Sequence, residues 1–246
     1  MDNVKYIHRK EIHNFKAPNV IVPYLISQYS PKSVIDVGTG LGTWLNIFKA
    51  NGVAEVKGLD GPWVDYGMLE IESSEFLTVD LTGKFFPNKK YDLALCLEVA
   101  EHLEEKYAET FIAELAKCSD LIVFSAAIPG QQGQNHINEQ PPAYWHGLFK
   151  QHGFSLYEDF RDLFWDNTEI EWWYRQNILV YNKMNSASKE PIMSPIFKIH
   201  YELWKEELKR KQQYLVRLKD INEGRVSWKY ILKIIFRKLI GFKPKK

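Results

Sequence analysis

Val34-Ile35-Asp36-Val37-Gly38-Thr39-Gly40-Leu41-Gly42-Thr43-Trp44 joins a β-branched run to three glycines at alternate positions. The run predicts a buried strand over residues 33–37. The glycines predict a tight turn into a helix, because they accept backbone angles that side chains forbid and let a ligand approach the main chain. A dinucleotide-binding turn is built similarly, but its Gly-x-Gly-x-x-Gly spacing counted from Gly38 requires glycine at 43, where Thr43 stands. Asp36, two residues before the first glycine, is awkward beside a pyrophosphate and acceptable beside a ligand carrying an ammonium and a sulfonium.

Outward from this turn, strands and helices alternate. Residues 56–59, 91–97, 121–125 and 176–181 read as further buried strands, and 76–81 as strand-like. Residues 44–50, 143–152 and 105–118, the last with Phe111, Ile112 and Leu115 at helical spacing, read as helices. Such alternation predicts an α/β domain with a mostly parallel sheet covered on both faces. Asp60 closes the second strand, where an acid can accept hydrogen bonds from two ribose hydroxyls, and Asp80 closes the 76–81 stretch within reach of an adenine amino group.

The 246 residues are 45% apolar and 26% charged, the composition of a globular protein with one main domain. Cys96 and Cys118 are the only cysteines and form no zinc or disulfide pattern, so a reducing, cytoplasmic compartment is expected. Neither a signal peptide nor 18 consecutive apolar residues is present, so secretion and membrane spanning are not expected. The net charge of +1 conceals a division: residues 1–183 hold 16 basic and 25 acidic side chains, residues 184–246 the other 16 basic ones and 6 acids. Asn185-Ser186-Ala187-Ser188, Pro191 and Pro195 interrupt any periodicity between the two. Three parts are therefore expected: an amino-terminal helical cap or lid (1–30), a ligand-binding domain (31–183) and a basic helical arm (184–246).

VIDVGTGLG (34–42), GLDG (58–61), VDL (79–81) and YDLALCLEVAEHL (91–103) together resemble the class I S-adenosylmethionine-dependent methyltransferases, over roughly residues 30–183. The resemblance implies a Rossmann-like seven-stranded sheet with its last strand, 176–181, antiparallel. It also implies S-adenosylmethionine across the carboxyl ends of the strands, contacted by Asp36, Gly38, Thr39, Gly40, Gly42, Trp44, Asp60, Gly61, Asp80, Leu81 and Leu97.

After the fourth strand, a helical turn would put Glu98, Glu101 and His102 on one side by i, i+3, i+4 spacing. The polar segment 130–140, after the fifth strand, is expected to overhang the ligand and bring His136 to the cluster. Two carboxylates and two imidazoles suit Mg²⁺, Mn²⁺, Fe²⁺ or Zn²⁺. This ExxEH then distal His arrangement looks like the metal-binding pattern of plant small-RNA 2′-O-methyltransferases and some ubiquinone-pathway O-methyltransferases, which implies a divalent ion holding an acceptor hydroxyl. Two other readings of the residues stand beside it. His136 or His102 can serve as a general base oriented by Glu101 or Glu139, or the acids can simply favour the start of a helix. Asn138, Glu139, Tyr144 and Trp145 are expected to meet the substrate, while 171–177 reaches the acceptor only if its loop folds over the site; His8 and His13 are weaker lid candidates.

In the arm, 201–220 reads as a charged helix. Residues 227–246 carry seven basic side chains and no acid, with Trp228, Ile231, Leu232, Ile235 and Leu239 on one helical face. That pattern suits an anionic bilayer surface, docking onto the acidic body of the chain, or self-association about equally, and nucleic acid less well. The expected activity is a metal-assisted O-methyltransferase acting on a sugar or nucleotide-activated sugar for surface polysaccharide. The rivals are an RNA ribose 2′-O-methyltransferase, a catalytically silent cofactor-binding module, and an N-methyltransferase; Leu97-Glu98-Val99-Ala100 stands where the last would need an NPPY-like loop.

Overall fold

A computed structural model of the chain describes residues 14–157, 159–183 and 198–225. Seven strands form one sheet: β1 (Ser33–Val37), β2 (Glu55–Asp60), β3 (Phe76–Thr78), β4 (Leu93–Leu97), β5 (Leu121–Ser125), β6 (Ser155–Tyr157) and β7 (Leu179–Asn182). Their order is β3-β2-β1-β4-β5-β7-β6. The first five are parallel, and β7 runs antiparallel to both β5 and β6. This is the Rossmann-like methyltransferase architecture expected from the motifs.

The strands are apolar on successive residues because both faces are covered. Ile35, Val37, Ala94, Cys96, Ile122 and Phe124 face a core completed by Phe111, Ile112 and Leu115 of α3 (Ala108–Cys118) and Trp145 and Phe149 of α4 (Pro142–Gln151). The intervening Val34, Leu93, Leu95, Leu97 and Val123 face the opposite layer. There Ile21, Val22 and Leu25 of α1 (Lys16–Tyr29), Leu45 and Phe48 of α2 (Thr43–Ala50) and Phe160 and Phe164 of α5 (Asp159–Phe164) close the second core. Strand order reverses between β1 and β4, which opens a crevice beyond their carboxyl ends where open α/β sheets bind ligands.

Several boundaries differ from those read off the sequence. Gln176 and Asn177 are not strand residues: α6 (Trp172–Asn177) runs through them, and β7 begins where the apolar run proper begins. The third strand is three residues long, ending at Thr78. Tyr91 makes only an isolated bridge to Ser119 ahead of β4. The short β6 has no counterpart in the sequence pattern, because three residues are too few to display a period. Glu101 and His102 lie in a 3₁₀ turn, Ala100–His102, instead of an α-helical one. Residues 198–200 belong with the sheet domain, and a second compact unit begins at Tyr201 with α7 (Tyr201–Asn222), a charged helix laced by pairs such as Glu202–Lys205 at 2.9 Å. His8, His13, the 185–195 interruption and the basic face of 227–246 lie outside the described residues.

Candidate active site

The glycine turn leaves β1 at Val37 and enters α2 at Thr43. Gly38 has φ of 82°, and a Cβ there would meet Val99 Cγ2 at 2.3 Å, so the turn after β4 packs directly on the turn after β1. Gly42 has φ of 79° and lies against Ile71. Asp60, at the end of β2, accepts the Gly40 N–H on Oδ2 (2.8 Å) and the Gly61 N–H on Oδ1 (2.6 Å). Burial raises the pKa of Asp60, opposed by those two amides and the Trp63 side chain. Trp63 lies so close over Gly61 that a Cβ would meet its ring at 2.2 Å.

Asp36 is 2% exposed, and burial pushes its carboxyl up to about 7, opposed by Thr39 and reinforced by the Asp60 charge. Asp36 Oδ2 and Thr39 Oγ1 are both buried and, apart from their approach to each other, find no hydrogen-bond partner among the described residues. An acceptor and a hydroxyl so left beside an open glycine turn are what a ligand bearing an ammonium group would satisfy. The donor set therefore fits S-adenosylmethionine. Asp80 is exposed at the end of the neighbouring segment, its Oδ1 held by the Thr82 N–H (2.9 Å) and hydroxyl (2.6 Å). Leu81 and Leu97 are core residues, and Trp44 packs edge-on to Tyr174 at 5.3 Å.

Beyond β4 a second group assembles. One oxygen of Glu101 and one ring nitrogen each of His102 and His136 lie within 4.8 Å of one another, and the two imidazoles meet edge to face at 5.0 Å. Glu101 is wholly buried, and among the described residues its carboxyl has no well-formed donor, only the nearby Glu101 and Ala127 amides and the Glu98 carboxyl. Burial first, then the Glu98 charge, holds its carboxyl well above the usual range. Burial, followed by His136, lowers His102 to about 4, against the raising influence of the Asn135 and Gln134 carbonyls. Both histidines are thus placed in surroundings that favour an uncharged ring at His102 and a ring held by Glu139 at His136, Nδ1 to Oε1 3.0 Å. Glu139 also accepts the N–H of Gly130 (2.8 Å) and of Gln132 (2.5 Å), so it organises the loop. The loop is fastened to the turn by the Ile137 and Asn138 amides, which share the Glu101 carbonyl at 2.9 and 3.0 Å.

Glu98 is not one of these three convergent donors, although its carboxyl adjoins and hydrogen-bonds that of Glu101, and burial raises it as well. Its i, i+3, i+4 relation to Glu101 and His102 holds only on an α-helix, whereas Glu98 has φ of 56° and precedes a 3₁₀ turn. On its other side the Glu98 carboxyl accepts from Gln131 Nε2 (2.9 Å) and Asn177 Nδ2 (3.0 Å). Trp145 is a core residue, 2% exposed and 5.6 Å from the Phe124 ring, because its position on α4 faces the sheet. Tyr144 lies half-buried near Glu105 and Glu109. Asn138 is buried, its Oδ1 taken by Gln140 and its Nδ2 without a partner among the described residues. Trp63, Gln131, Gln176 and Asn177 were not singled out from sequence. The only signal was the amide-rich composition of 131–140 and the odd placement of two amides at the head of an apolar strand.

The family described as "Methyltransferase domain" matches residues 13–159, more than half of the chain. Among solved structures, DesVI from Streptomyces venezuelae superposes with a TM-score of 0.51 at 12% identity, over 68% of this chain and 91% of that one. Magnesium protoporphyrin IX methyltransferase from Synechocystis PCC 6803 with bound SAH gives 0.50 at 19% identity, over 69% and 83%. An O-methyltransferase family protein from Burkholderia thailandensis gives 0.48 at 14%, over 71% of this chain, which spans 63% of that protein's length. No curated protein matches the sequence. The structural likenesses concern architecture; the family match, which takes in the glycine turn, Asp60 and the Glu98–His102 turn, decides that this chain belongs to the class I S-adenosylmethionine-dependent methyltransferases.

Proposed function

We propose that the chain methylates a hydroxyl, on a sugar or nucleotide-activated sugar in surface-polysaccharide synthesis, with a divalent ion held by Glu101, His102 and His136. The observation that carries this reading is the wholly buried Glu101 carboxylate, which lies against the Glu98 carboxyl and within 4.8 Å of two imidazole nitrogens. A buried carboxylate in that condition needs either a proton or a cation. One carboxylate and two imidazoles make a donor set for Mn²⁺, Fe²⁺ or Zn²⁺, which leaves positions for substrate oxygens.

When bound, S-adenosylmethionine supplies an electrophilic methyl on sulfur, and a divalent ion would lower the pKa of the acceptor hydroxyl and orient it. The chain's own contributions are positional. Asp36 offers a buried carboxylate to the cationic end of the cofactor, and Asp60 offers its remaining lone pairs to ribose hydroxyls while it holds the Gly40 and Gly61 amides. Glu139 turns His136 through Nδ1, and the Asn135 carbonyl lies 3.4 Å from His102 Nδ1. A sugar is favoured because vicinal hydroxyls chelate and because the 130–140 loop is rich in amides.

The Glu139–His136 contact also supports a second reading, in which His136 is an oriented general base and no ion is used. Mn²⁺ titration by electron paramagnetic resonance, on protein saturated with S-adenosylhomocysteine, separates the two. Binding in the wild type that is lost in His136→Ala supports the ion; no binding in the wild type leaves the base. The basic carboxyl-terminal arm is read as a contact for anionic membrane, to be tested by vesicle co-sedimentation with residues 224–246 deleted. No helix among the described residues is long and apolar enough to cross a membrane.

A further inference from the structure

Glu98, the first residue after β4, occupies the left-handed region at φ 56°, where a side chain is strained and stays only if its surroundings over-determine it. Here they do. Its N–H donates to the Ser125 carbonyl (3.0 Å) and lies 3.1 Å from Ser125 Oγ. Its carboxylate receives Asn177 Nδ2 at 3.0 and 3.3 Å and Gln131 Nε2 at 2.9 Å. Burial raises this carboxyl and it shares a hydrogen bond with Glu101, while its oxygens facing Gln131 and Asn177 accept, so both amides turn their NH₂ groups toward it.

That choice propagates. Gln131 Oε1 accepts from Asn177 Nδ2 (2.9 Å) and Gln176 Nε2 (3.3 Å), and Gln176 Nε2 donates to Asn177 Oδ1 (2.9 Å). The three amides are 5%, 1% and 4% exposed for Gln131, Gln176 and Asn177, so water does not compete with these bonds. The reversal they hold at Glu98 sets Val99 against Gly38 and delivers Glu101 and His102 toward His136.

We propose that Gln131 and Asn177 are positioning residues for the Glu101–His102–His136 group, acting through Glu98 as an anchor that is not itself a fourth ligand. The proposal rests on the reading of that group as a cation site. Donor and acceptor can be exchanged across the contact: in Glu98→Gln combined with Asn177→Asp, the new amide donates to the new carboxylate.

The test measures Mn²⁺ affinity by electron paramagnetic resonance and hydrogen exchange of the 98–103 amides, in the wild type, both single variants and the exchanged pair. Each single variant should weaken Mn²⁺ by about 10- to 100-fold, the range typical of residues that orient metal ligands, and speed exchange at 98–103. The exchanged pair should recover both. If Glu98 were a ligand, the pair would bind Mn²⁺ no better than Glu98→Gln alone, and that result overturns the proposal. Wild-type affinity in Asn177→Asp also overturns it. Should the wild type bind no Mn²⁺, the cation reading fails by itself. Hydrogen exchange then decides the anchor: recovery in the pair upholds it, and unrelieved exchange overturns it. If Asn177→Asp does not fold, Glu98→Gln with Gln131→Glu poses the same question across the second contact.

Discussion

At Asp36, burial works against charge. Its carboxyl sits at about 7 in the folded chain against 3.8 for the free side chain. Between those values the folded protein holds a proton that the unfolded chain has released. Stability of the ligand-free protein therefore falls as pH rises through this window and levels off above it. Asp36→Asn should remove the slope and, at pH 8, stabilise the ligand-free protein by on the order of 2–4 kcal/mol in chemical denaturation. The same variant should bind S-adenosylmethionine more weakly, and without the rise in affinity through pH 7 that calorimetry is expected to find in the wild type. A cationic ligand prefers the ionised carboxylate, which gives this dependence its sign. Asp60 has a double role, since both of its oxygens already hold turn amides. Asp60→Ala is thus expected to cost about 1–3 kcal/mol in thermal stability as well as cofactor affinity, because two amides lose their acceptor. An unchanged melting temperature with lost binding would mean that the turn holds without it.

At the scale of elements, two turns at the reversal of strand order rest on each other. The glycine turn after β1 accepts Val99 from the turn after β4 only because Gly38 lacks a Cβ. Gly38→Ala places a methyl 2.3 Å from Val99 Cγ2 at a φ that L residues avoid. The strain and overpacking together should destabilise by about 2–4 kcal/mol. Because Val99 adjoins Glu98, the damage should reach the 98–103 amides too, which hydrogen exchange will register. The loop 130–140 is tied down at Glu101 and by Glu139. Glu139→Ala, which frees the Gly130 and Gln132 amides and the His136 ring together, should open the loop to limited proteolysis while the sheet stays intact.

At the scale of the whole chain, the sheet domain extends past the compositional break at 185–195. His200 is wholly buried, its N–H bonded to Gln176 Oε1 at 2.7 Å and its Nε2 lying 3.0 Å from the Trp165 carbonyl. A chain ending at residue 183 should therefore melt lower than one ending at 200, by about 1–3 kcal/mol for the orphaned Gln176 acceptor alone. Equal melting temperatures would make 198–200 dispensable to the sheet domain.

The α/β class of fold, the glycine turn and the acids at the ends of β1 and β2 are legible in the sequence itself, while the antiparallel last strand comes from the resemblance of the motifs to a known family. The fold class, the turn and the acids rest on composition, period and spacing within a few residues, which the chain carries locally. The direction of Glu98 was not legible. One positive φ turned its carboxylate from His102 toward Gln131 and Asn177, residues far along the chain that meet only because β4, β5 and β7 are neighbours. Trp145 joined the core for a similar reason, since which face of α4 meets the sheet depends on how that helix packs. Gln176 and Asn177 read as the head of a strand, because an apolar run marks where burial begins and not where a helix ends. Spacing thus selected the residue types around the site, and long-range packing decided which of them face one another.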